Sequence, residues 1–161
     1  MTTQFCLCGS GILFNDCCEA YHRGDKYPAT AEMLMRSRFT GYALQNSDYL
    51  LATWDKNTRP KQIDFSKEIA EWSGLEILMV KKGQIQDDKG LIEFKAYYRF
   101  NQQLCVLHEL SRFKKSAGQW FYLDGMVKSS GQIQTKVIQG KNALCECGSG
   151  IKFKRCCGKN Q

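Results

Sequence analysis

The spacing of hydrophobic residues changes from a helical to a strand period near the middle of the chain. From Thr30 onward, apolar residues recur at the i, i+3, i+4 spacing of an amphipathic helix, with Thr30 as its N-cap. The polar residues 46–48 interrupt this pattern and cap a second predicted helix that continues to Trp54. Residues 55–61 form a predicted polar turn, and residues 63–72 a third, short helix. The first half of the chain is therefore predicted to be helical.

Beyond residue 74 the apolar residues alternate with polar ones, which is the period of a half-buried strand. The alternation predicts four strands separated by polar or glycine-containing turns, at residues 74–82, 91–100, 104–114 and 118–126. Helices followed by a meander of antiparallel strands form an α+β pattern. We therefore predict helices packed on an antiparallel sheet, followed by a linker at residues 129–141.

Two copies of one cysteine pattern bracket these elements. Residues 6–18, the N-terminal motif, and residues 145–157, the C-terminal motif, both follow C-x-C-G-S-G-I-x-F-x-x-C-C. A tetrahedral metal ion needs four sulfurs about 2.3 Å from one centre, and the Gly-Ser-Gly turn allows the chain to reverse between the cysteine pairs. We expect a turn or short hairpin that leads into one helical turn carrying the adjacent cysteines. The predicted ligands of two zinc ions are Cys6, Cys8, Cys17 and Cys18 at one site and Cys145, Cys147, Cys156 and Cys157 at the other. The apolar pairs Ile12 with Phe14 and Ile151 with Phe153 are expected to pack each motif against another part of the protein.

Three kinds of chemistry fit eight paired cysteines: zinc, disulfide or redox chemistry, and another soft metal such as Cu(I) or an iron–sulfur cluster. Disulfides need an oxidising compartment, and no signal peptide is expected because a basic segment followed by an apolar run is missing at the N-terminus. No apolar run approaches the length of a membrane span, and the chain is long enough to build a core without disulfides. Zinc in a reducing cytoplasm is therefore the preferred interpretation, with no membrane partner.

The net charge of +7 is a weaker indication of partners than it first suggests. Four thiolates and one Zn²⁺ carry a net charge of −2, so two such sites lower the total from +7 to about +3. A moderate positive charge does not by itself indicate nucleic-acid binding, and no reading of DNA sequence is expected.

The C-terminal motif resembles the SEC-C motif, which is named for the zinc-binding tail of the SecA translocase motor. In that tail the cysteines hold zinc, and a basic surface contacts a chaperone partner and the ribosome. The basic residues that carry the resemblance are Lys152, Lys154, Arg155 and Lys159. The N-terminal motif keeps the cysteines and lacks these basic residues. The resemblance implies that an acidic protein surface, the ribosome or RNA binds the C-terminal motif.

The whole chain resembles the bacterial YchJ family. The helical signature comprises Met35, Arg36, Ser37, Arg38, Phe39, Tyr42, Ala43, Asp48, Tyr49, Leu50, Thr53 and Trp54. The strand signature comprises Glu109, Ser111, Arg112, Phe113, Gly118, Gln119, Trp120, Tyr122, Asp124 and Gly125. The resemblance implies a cone-like domain of the nuclear-transport-factor-like (cystatin-like) type, in which a curved sheet wraps around helices. The implied units are a zinc knuckle with linker at 1–28, a central α+β domain at 29–128, and a linker with a second knuckle at 129–161.

Domains of that shape often enclose a pocket between sheet and helices, and we predict Arg36, Trp54, Glu109 and Ser111 as possible pocket residues. Strand alternation places Glu109 and Ser111 on one face and His108 on the other. Structural alternatives stand beside this prediction: a cross-strand pair of Glu109 with Lys95 or Arg99, ion pairing or capping by Arg36 and Arg38, and core packing of the tryptophans.

Two functional hypotheses follow. In the first, the protein is a zinc-binding interaction module that acts through its SEC-C-like knuckles. In the second, the central pocket binds a small ligand or catalyses a reaction. Purely structural zinc is compatible with either hypothesis. Catalysis by the zinc itself is not expected, because four cysteine ligands leave no open coordination position for water.

Overall fold

The structure is a computed structural model and describes residues 4–133, 142 and 149–156. The α-helices are α1 (Glu19–His22), α2 (Ala31–Ala43) and α3 (Ser47–Ala52). Short 3-10 helices span Phe14–Asp16 and Phe153–Arg155. The strands are β1 (Glu71–Lys82), β2 (Lys89–Phe100), β3 (Gln103–Ser116) and β4 (Gln119–Gln132). The α+β prediction is confirmed. Among the described residues, none of the helices combines the length and the apolar character that crossing a membrane would require.

Side-chain caps start the two longer helices where the sequence predicts. Thr30 Oγ1 accepts a hydrogen bond from the Met33 backbone N–H at 3.2 Å, and Asn46 Oδ1 accepts one from Tyr49 N–H at 3.1 Å. These bonds satisfy N–H groups that have no partner within the first helical turn. The predicted positions of both helix starts are therefore confirmed.

The predicted third helix at residues 63–72 is wrong. This segment runs without helix to Glu71, where β1 begins. Asp64 Oδ1 accepts from Ser66 N–H at 2.9 Å, and Glu68 Oε1 accepts from Ala70 N–H at 3.0 Å. Such local bonds from side chain to backbone compete with the hydrogen bonds of a helix.

The four strands form one antiparallel, curved open sheet in the order β1-β2-β3-β4. β4 extends to Gln132, beyond the strand end predicted near residue 126, and its second half pairs with the first half of β3 (Cys105 opposite Gln132 and His108 opposite Ser129). The residues of this extension are exposed and polar or small, so they follow no hydrophobic alternation. For that reason, the hydrophobic pattern predicts a linker from residue 129 onward in place of the strand.

Helix α2 packs across the sheet and supplies four of the ten buried residues of the core. The buried helix side chains are Ala31, Leu34, Met35 and Phe39, and the buried sheet side chains are Leu75, Ile92, Phe94, Ala96, Phe113 and Trp120. Trp120 is fully part of this core, and its indole Nε1–H donates to the Ala29 carbonyl at 3.1 Å. Cys105, outside both motifs, is buried as a small apolar side chain.

Candidate metal centre and helix–sheet cavity

Four thiols of the N-terminal motif converge on one point. The sulfurs of Cys6, Cys8, Cys17 and Cys18 all lie within 4.8 Å of one another, and we call this group the cysteine cluster. Cys8 and Cys17 are 3.6 Å apart, and Cys17 and Cys18 are 3.8 Å apart. Sulfurs about 2.3 Å from a central ion in a tetrahedron are separated by about 3.8 Å. The geometry and the donor type of the cluster are therefore compatible with a metal site.

A short hairpin and a helical turn bring the thiols together, as the sequence predicts. Cys6 N–H donates to the Ile12 carbonyl at 2.8 Å, and Phe5 pairs with Leu13 in an antiparallel bridge. The 3-10 helix Phe14–Asp16 then carries the chain directly into Cys17 and Cys18, which precede α1.

The cysteine cluster is anchored on α2. Arg36 Nη1 donates to the Cys8 carbonyl at 2.7 Å, and Thr40 Oγ1 lies 3.6 Å from the sulfurs of both Cys6 and Cys18. The backbone of Gly9 approaches β1 so closely that a Cβ at this position would lie 2.8 Å from the Leu75 carbonyl oxygen. The N-terminal motif therefore contacts both the helix and the sheet of the central domain.

Two expectations for the surroundings of the cluster need correction. Ile12 does not pack the motif against the domain, because 49% of its surface is exposed. Arg36 does not line the cavity between α2 and the sheet: it contacts Cys8, and its Nε donates to Glu32 Oε1 at 2.9 Å, one turn earlier on α2.

His22 lies beside the cluster and is used in its packing. Its Nε2–H donates to the Ser37 carbonyl at 2.8 Å, and its ring centre lies 4.4 Å from that of Tyr49. Burial lowers the pKa of His22, because the imidazolium form loses its hydration. His22 therefore attaches α1 to α2 as a neutral side chain.

The thiols of the cluster share protons when no cation is present. Hydrogen bonding to Cys6 and Cys8 raises the pKa of Cys18, and burial raises the pKa of Cys17 to about 11. Hydrogen bonds from Cys18 and Cys6 lower the pKa of Cys8. Four thiolates at this separation repel one another, so full deprotonation of the cluster requires a bound cation.

The described part of the C-terminal motif repeats the local geometry of the N-terminal motif. Ser149 Oγ lies 3.3 Å from Cys156 Sγ, and Ser10 Oγ lies 3.2 Å from Cys17 Sγ. Each motif also contains a 3-10 helix at the equivalent position. Lys152, Lys154 and Arg155 are exposed. The other residues predicted for this motif lie outside the described residues: Cys145, Cys147, Cys157 and Lys159.

A cavity of about 220 Å³ lies between α2 and the sheet, and we call it the helix–sheet cavity. Its apolar lining consists of Met35, Phe39, Trp72, Phe94, Ala96 and Leu107. Its polar lining consists of Arg38, Tyr42, Glu109, Ser111 and Tyr122. Glu109 and Ser111 thus occupy the pocket that the sequence suggested. Trp54 lies outside the lining and contacts Arg38 and Tyr122 instead, with ring centres of Trp54 and Tyr122 4.9 Å apart.

Like Tyr42 and Tyr122, Arg38 is a polar cavity residue that the pocket prediction did not include. Its side chain is buried, and Nη1 donates to the Leu50 carbonyl at 2.7 Å and to Thr53 Oγ1 at 2.8 Å. Its guanidinium carbon lies 4.6 Å from the centre of the Tyr122 ring. The helical period provides a signal, because Arg38 follows the buried Leu34 by four residues and Arg36 does not.

Glu109 lies inside the cavity and forms no cross-strand ion pair within the part of the chain that the structure describes. It pairs with Phe94 on β2, so neither Lys95 nor Arg99 lies directly opposite. Ser111 Oγ donates to Glu109 Oε1 at 2.7 Å, and Tyr122 OH lies 3.5 Å from the same oxygen. On the other face of β3, His108 Nε2 bonds Glu93 Oε1 at 2.7 Å, as the alternation predicts for His108.

Gly125 makes room for the Glu109 carboxylate. A Cβ at Gly125 would lie 2.7 Å from Glu109 Cδ and 2.8 Å from the Tyr122 hydroxyl oxygen. The carboxylate therefore lies over the backbone of β4, where any larger residue would displace it.

Comparison with known proteins identifies the family of this chain. A family model described as the YchJ middle NTF2-like domain matches residues 30–125, and a model described as the SEC-C motif matches residues 142–159. The chain belongs to the YchJ family. A UPF0225 protein of Photorhabdus laumondii is 39% identical over 162 residues, which cover 97% of this chain and 99% of that protein. A UPF0225 protein of Geobacter sulfurreducens is 38% identical over 164 residues, with the same coverage of 97% and 99%.

Two solved structures share the fold of this YchJ-family chain. The solution structure of a SEC-C motif-containing protein from Rhodopseudomonas palustris is 31% identical, has a TM-score of 0.68, and covers 77% of this chain and 98% of its own. The crystal structure of a SEC-C motif-containing protein from Psychrobacter arcticus is 32% identical, has a TM-score of 0.61, and covers 99% and 98% of the two chains. The predicted family is confirmed. The N-terminal motif precedes both matched ranges, so the convergence of its thiols is a finding of the structure itself.

Proposed function

We propose that this YchJ-family protein is a zinc-binding interaction module. The observation that carries the proposal is the cysteine cluster, in which four sulfurs lie within 4.8 Å of one another. Zn²⁺ favours a tetrahedral set of cysteine thiolates. Such a closed set is typical of a structural zinc site, because it leaves no coordination position for a substrate or water. Zinc bound here fixes the first residues of the chain on α2 and β1. The reduced thiols that this role needs are maintained in a cytoplasmic environment.

A second zinc ion in the C-terminal motif completes the proposal. Its ligands are Cys145, Cys147, Cys156 and Cys157. Support comes from the SEC-C match and from the distance of 3.3 Å between Ser149 Oγ and Cys156 Sγ, which resembles the 3.2 Å distance in the N-terminal motif.

The basic side chains of the C-terminal motif form the proposed partner-binding surface. Lys152, Lys154 and Arg155 are exposed around the 3-10 helix, and Lys159 follows in sequence. Proposed zinc ligands precede and follow Lys152, Lys154 and Arg155 and restrict their backbone, which lowers the entropy lost on binding. We propose an acidic partner, such as ribosomal RNA or an acidic protein surface. Small-ligand binding in the helix–sheet cavity is a second candidate function, favoured by the charged groups that line it.

Native mass spectrometry of protein purified without added metal tests the zinc sites. We expect two zinc ions per chain, and one in each of the variants Cys17→Ser and Cys156→Ser. Cys105→Ser is the matched control, because Cys105 lies outside both motifs and should leave two ions. Metal-free protein whose mass is short by pairs of hydrogens would indicate disulfides and contradict the proposal.

Co-sedimentation with ribosomes and pull-down of acidic proteins test the partner surface. Glutamate at Lys152, Lys154, Arg155 and Lys159 should abolish binding while both zinc ions remain. The matched control places glutamate at Lys56, Arg59, Lys61 and Lys67, which are exposed and give the same change in net charge. Binding should also weaken as salt rises. Equal loss in the two variants, or binding that is insensitive to salt, would contradict this surface.

A further inference from the structure

We propose that the helix–sheet cavity binds a small organic carboxylate, with its charged end against Arg38 and its apolar body against the aromatic wall. This inference does not depend on zinc or on the partner surface, because the cavity lies in the central domain and none of the cysteines that the structure describes lines it.

The volume of the cavity sets the size of the ligand. An engineered cavity of about 150 Å³ accommodates benzene. By the same packing, the 220 Å³ present here holds about nine non-hydrogen atoms, the size of benzoate or of a six-carbon fatty acid. Tyr42, Trp72 and Leu107 in the lining are only half-buried, so the cavity is not sealed from solvent.

The state of Arg38 indicates the charge of the ligand. The side chain is 2% exposed, and among the described residues it forms no ion pair with a carboxylate. Its hydrogen bonds to Leu50 and Thr53 use a single nitrogen, Nη1, and its side chain also hydrogen-bonds Tyr42, which leaves part of the five N–H donors of the guanidinium for a ligand. A buried cation that forms no close ion pair is unfavourable, and its planar donors match the two oxygens of a carboxylate. Burial also lowers the pKa of Arg38, which reflects the same cost of desolvation.

The tyrosines around Arg38 favour an anion as well. Burial raises the pKa of Tyr42 and of Tyr122, because the phenolate form loses its hydration. Both hydroxyls therefore remain protonated at neutral pH. The Tyr122 hydroxyl donates to Glu109 Oε1 at 3.5 Å, whereas the Tyr42 hydroxyl accepts from Arg38 and keeps its proton for an acceptor in the cavity.

Glu109 is the lining group that opposes an anion. Its carboxylate accepts the Ser111 hydroxyl at 2.7 Å and lies in the same cavity as Arg38. Removing its charge while keeping an acceptor oxygen should therefore strengthen the binding of a carboxylate. This gives two substitutions, Arg38→Met and Glu109→Gln, with opposite expected effects.

The test is titration of benzoate into the full-length, zinc-loaded protein, followed by NMR. Benzyl alcohol and benzylamine serve as probes of similar size and different charge. We expect benzoate to shift the resonances of cavity residues and to bind at least about tenfold more tightly than either probe, because it alone pairs with the buried cation. Arg38→Met should weaken benzoate about 30-fold, and Glu109→Gln should tighten it about fivefold. Arg36→Met, on the same helix and outside the cavity, should leave benzoate affinity unchanged.

Further variants keep the proposal falsifiable if Arg38→Met does not fold. Ala96 is buried in the cavity wall, so Ala96→Leu should fill the cavity and remove benzoate binding while Arg38 stays intact. Equal affinity for the three probes would overturn the proposal, since the cavity would then respond only to apolar bulk. No binding of benzoate to the folded wild-type protein, or weaker binding to Glu109→Gln, would also overturn it. Failure of the zinc proposal would be detected separately, as a lack of bound zinc in the same samples.

Discussion

Gly9 and Gly11 have the same left-handed backbone and different surroundings. Their φ angles are +78° and +74°, but only a Cβ at Gly9 would meet another residue, at 2.8 Å from the Leu75 carbonyl oxygen. We predict that Gly11→Ala destabilises the zinc-loaded protein by about 1 kcal/mol through the backbone alone. Gly9→Ala should cost about 2–4 kcal/mol, because the motif must also move away from β1. Chemical denaturation of both variants measures the difference, and equal costs would show that the motif is not held against the sheet.

Protonation of Glu93 in acid should lower the free energy of unfolding. Lys128 and His108 both contact its Oε1, at 2.5 and 2.7 Å, and they lower the pKa of Glu93 below its ordinary value of 4.5. A carboxylate with a lowered pKa in the folded state contributes stability above its unfolded pKa and loses it as the pH falls through the folded pKa.

The measurement is the free energy of unfolding of wild type and Glu93→Gln as the pH is lowered from 6 to 3. The difference between the two proteins should shrink from about pH 5 downward, because wild type alone loses this ionised contact. Comparing the two proteins cancels the shared loss of zinc in acid. Glu71→Gln, at an exposed glutamate of β1, is the control, and a difference that stays constant with pH would contradict the prediction.

Individual residues were predictable where spacing alone decides the outcome. The grouping of Cys6, Cys8, Cys17 and Cys18 followed from their repeated spacing, and the facing of Glu109 from strand alternation. Arg36 was predicted as a possible pocket residue, with ion pairing as the alternative, and the structure pairs it with Glu32 and places Arg38 in the cavity lining. Both arginines are near the middle of α2, and only Arg38 lies on the face that continues Leu34 and Met35 into the core.

Helix α2 serves two sites with its two sides. Met35, Arg38 and Phe39 line the helix–sheet cavity, while Arg36 and Thr40 contact the cysteine cluster. Neighbouring side chains on a helix point about 100° apart, so the residues of the two sites lie on different faces of α2. The two sites are therefore open to independent mutation.

Arg36→Met should loosen the attachment of the cluster to α2. It removes the 2.7 Å hydrogen bond to the Cys8 carbonyl and the ion pair with Glu32 at 2.9 Å. We expect a loss of about 1.5–3 kcal/mol in the free energy of unfolding, typical of a hydrogen bond to a charged group. Arg23→Met, which removes the exposed ion pair with Asp25, is the control and should change stability by less than about 1 kcal/mol. Similar effects of the two substitutions would contradict a specific role of Arg36.

Elements were predictable where their ends carry a chemical signal. Thr30 and Asn46 marked the starts of α2 and α3 through their capping side chains. Residues 63–72 carry apolar residues at helical spacing, but turns bonded by Asp64 and Glu68 prevent the helix. The second half of β4 is held by backbone pairing with β3, which leaves no trace in the hydrophobic pattern.

At the scale of the whole molecule, the cysteine cluster and the central core are two packing units that meet at Leu7. The core unites α2 with the sheet and receives Leu7 of the N-terminal motif, whereas the cysteine cluster packs with Phe14. We predict that chelation of zinc opens residues 4–22 and leaves the sheet intact. Hydrogen exchange with and without chelator should show protection lost in that segment and kept in β2 and β3. Loss of protection throughout the chain would show instead that the metal holds the entire fold.

The attachment of the cluster to α2 and β1 has a consequence for the order of events during synthesis. A ribosome releases the N-terminus first, so all four cysteines of the cluster emerge before Arg36 and Thr40, and well before Leu75. Under the zinc proposal, the nascent chain can therefore bind the ion before the surface that receives the cluster has been synthesised. The closed N-terminal motif is then a preformed unit, and the central domain folds against it once its residues have been synthesised.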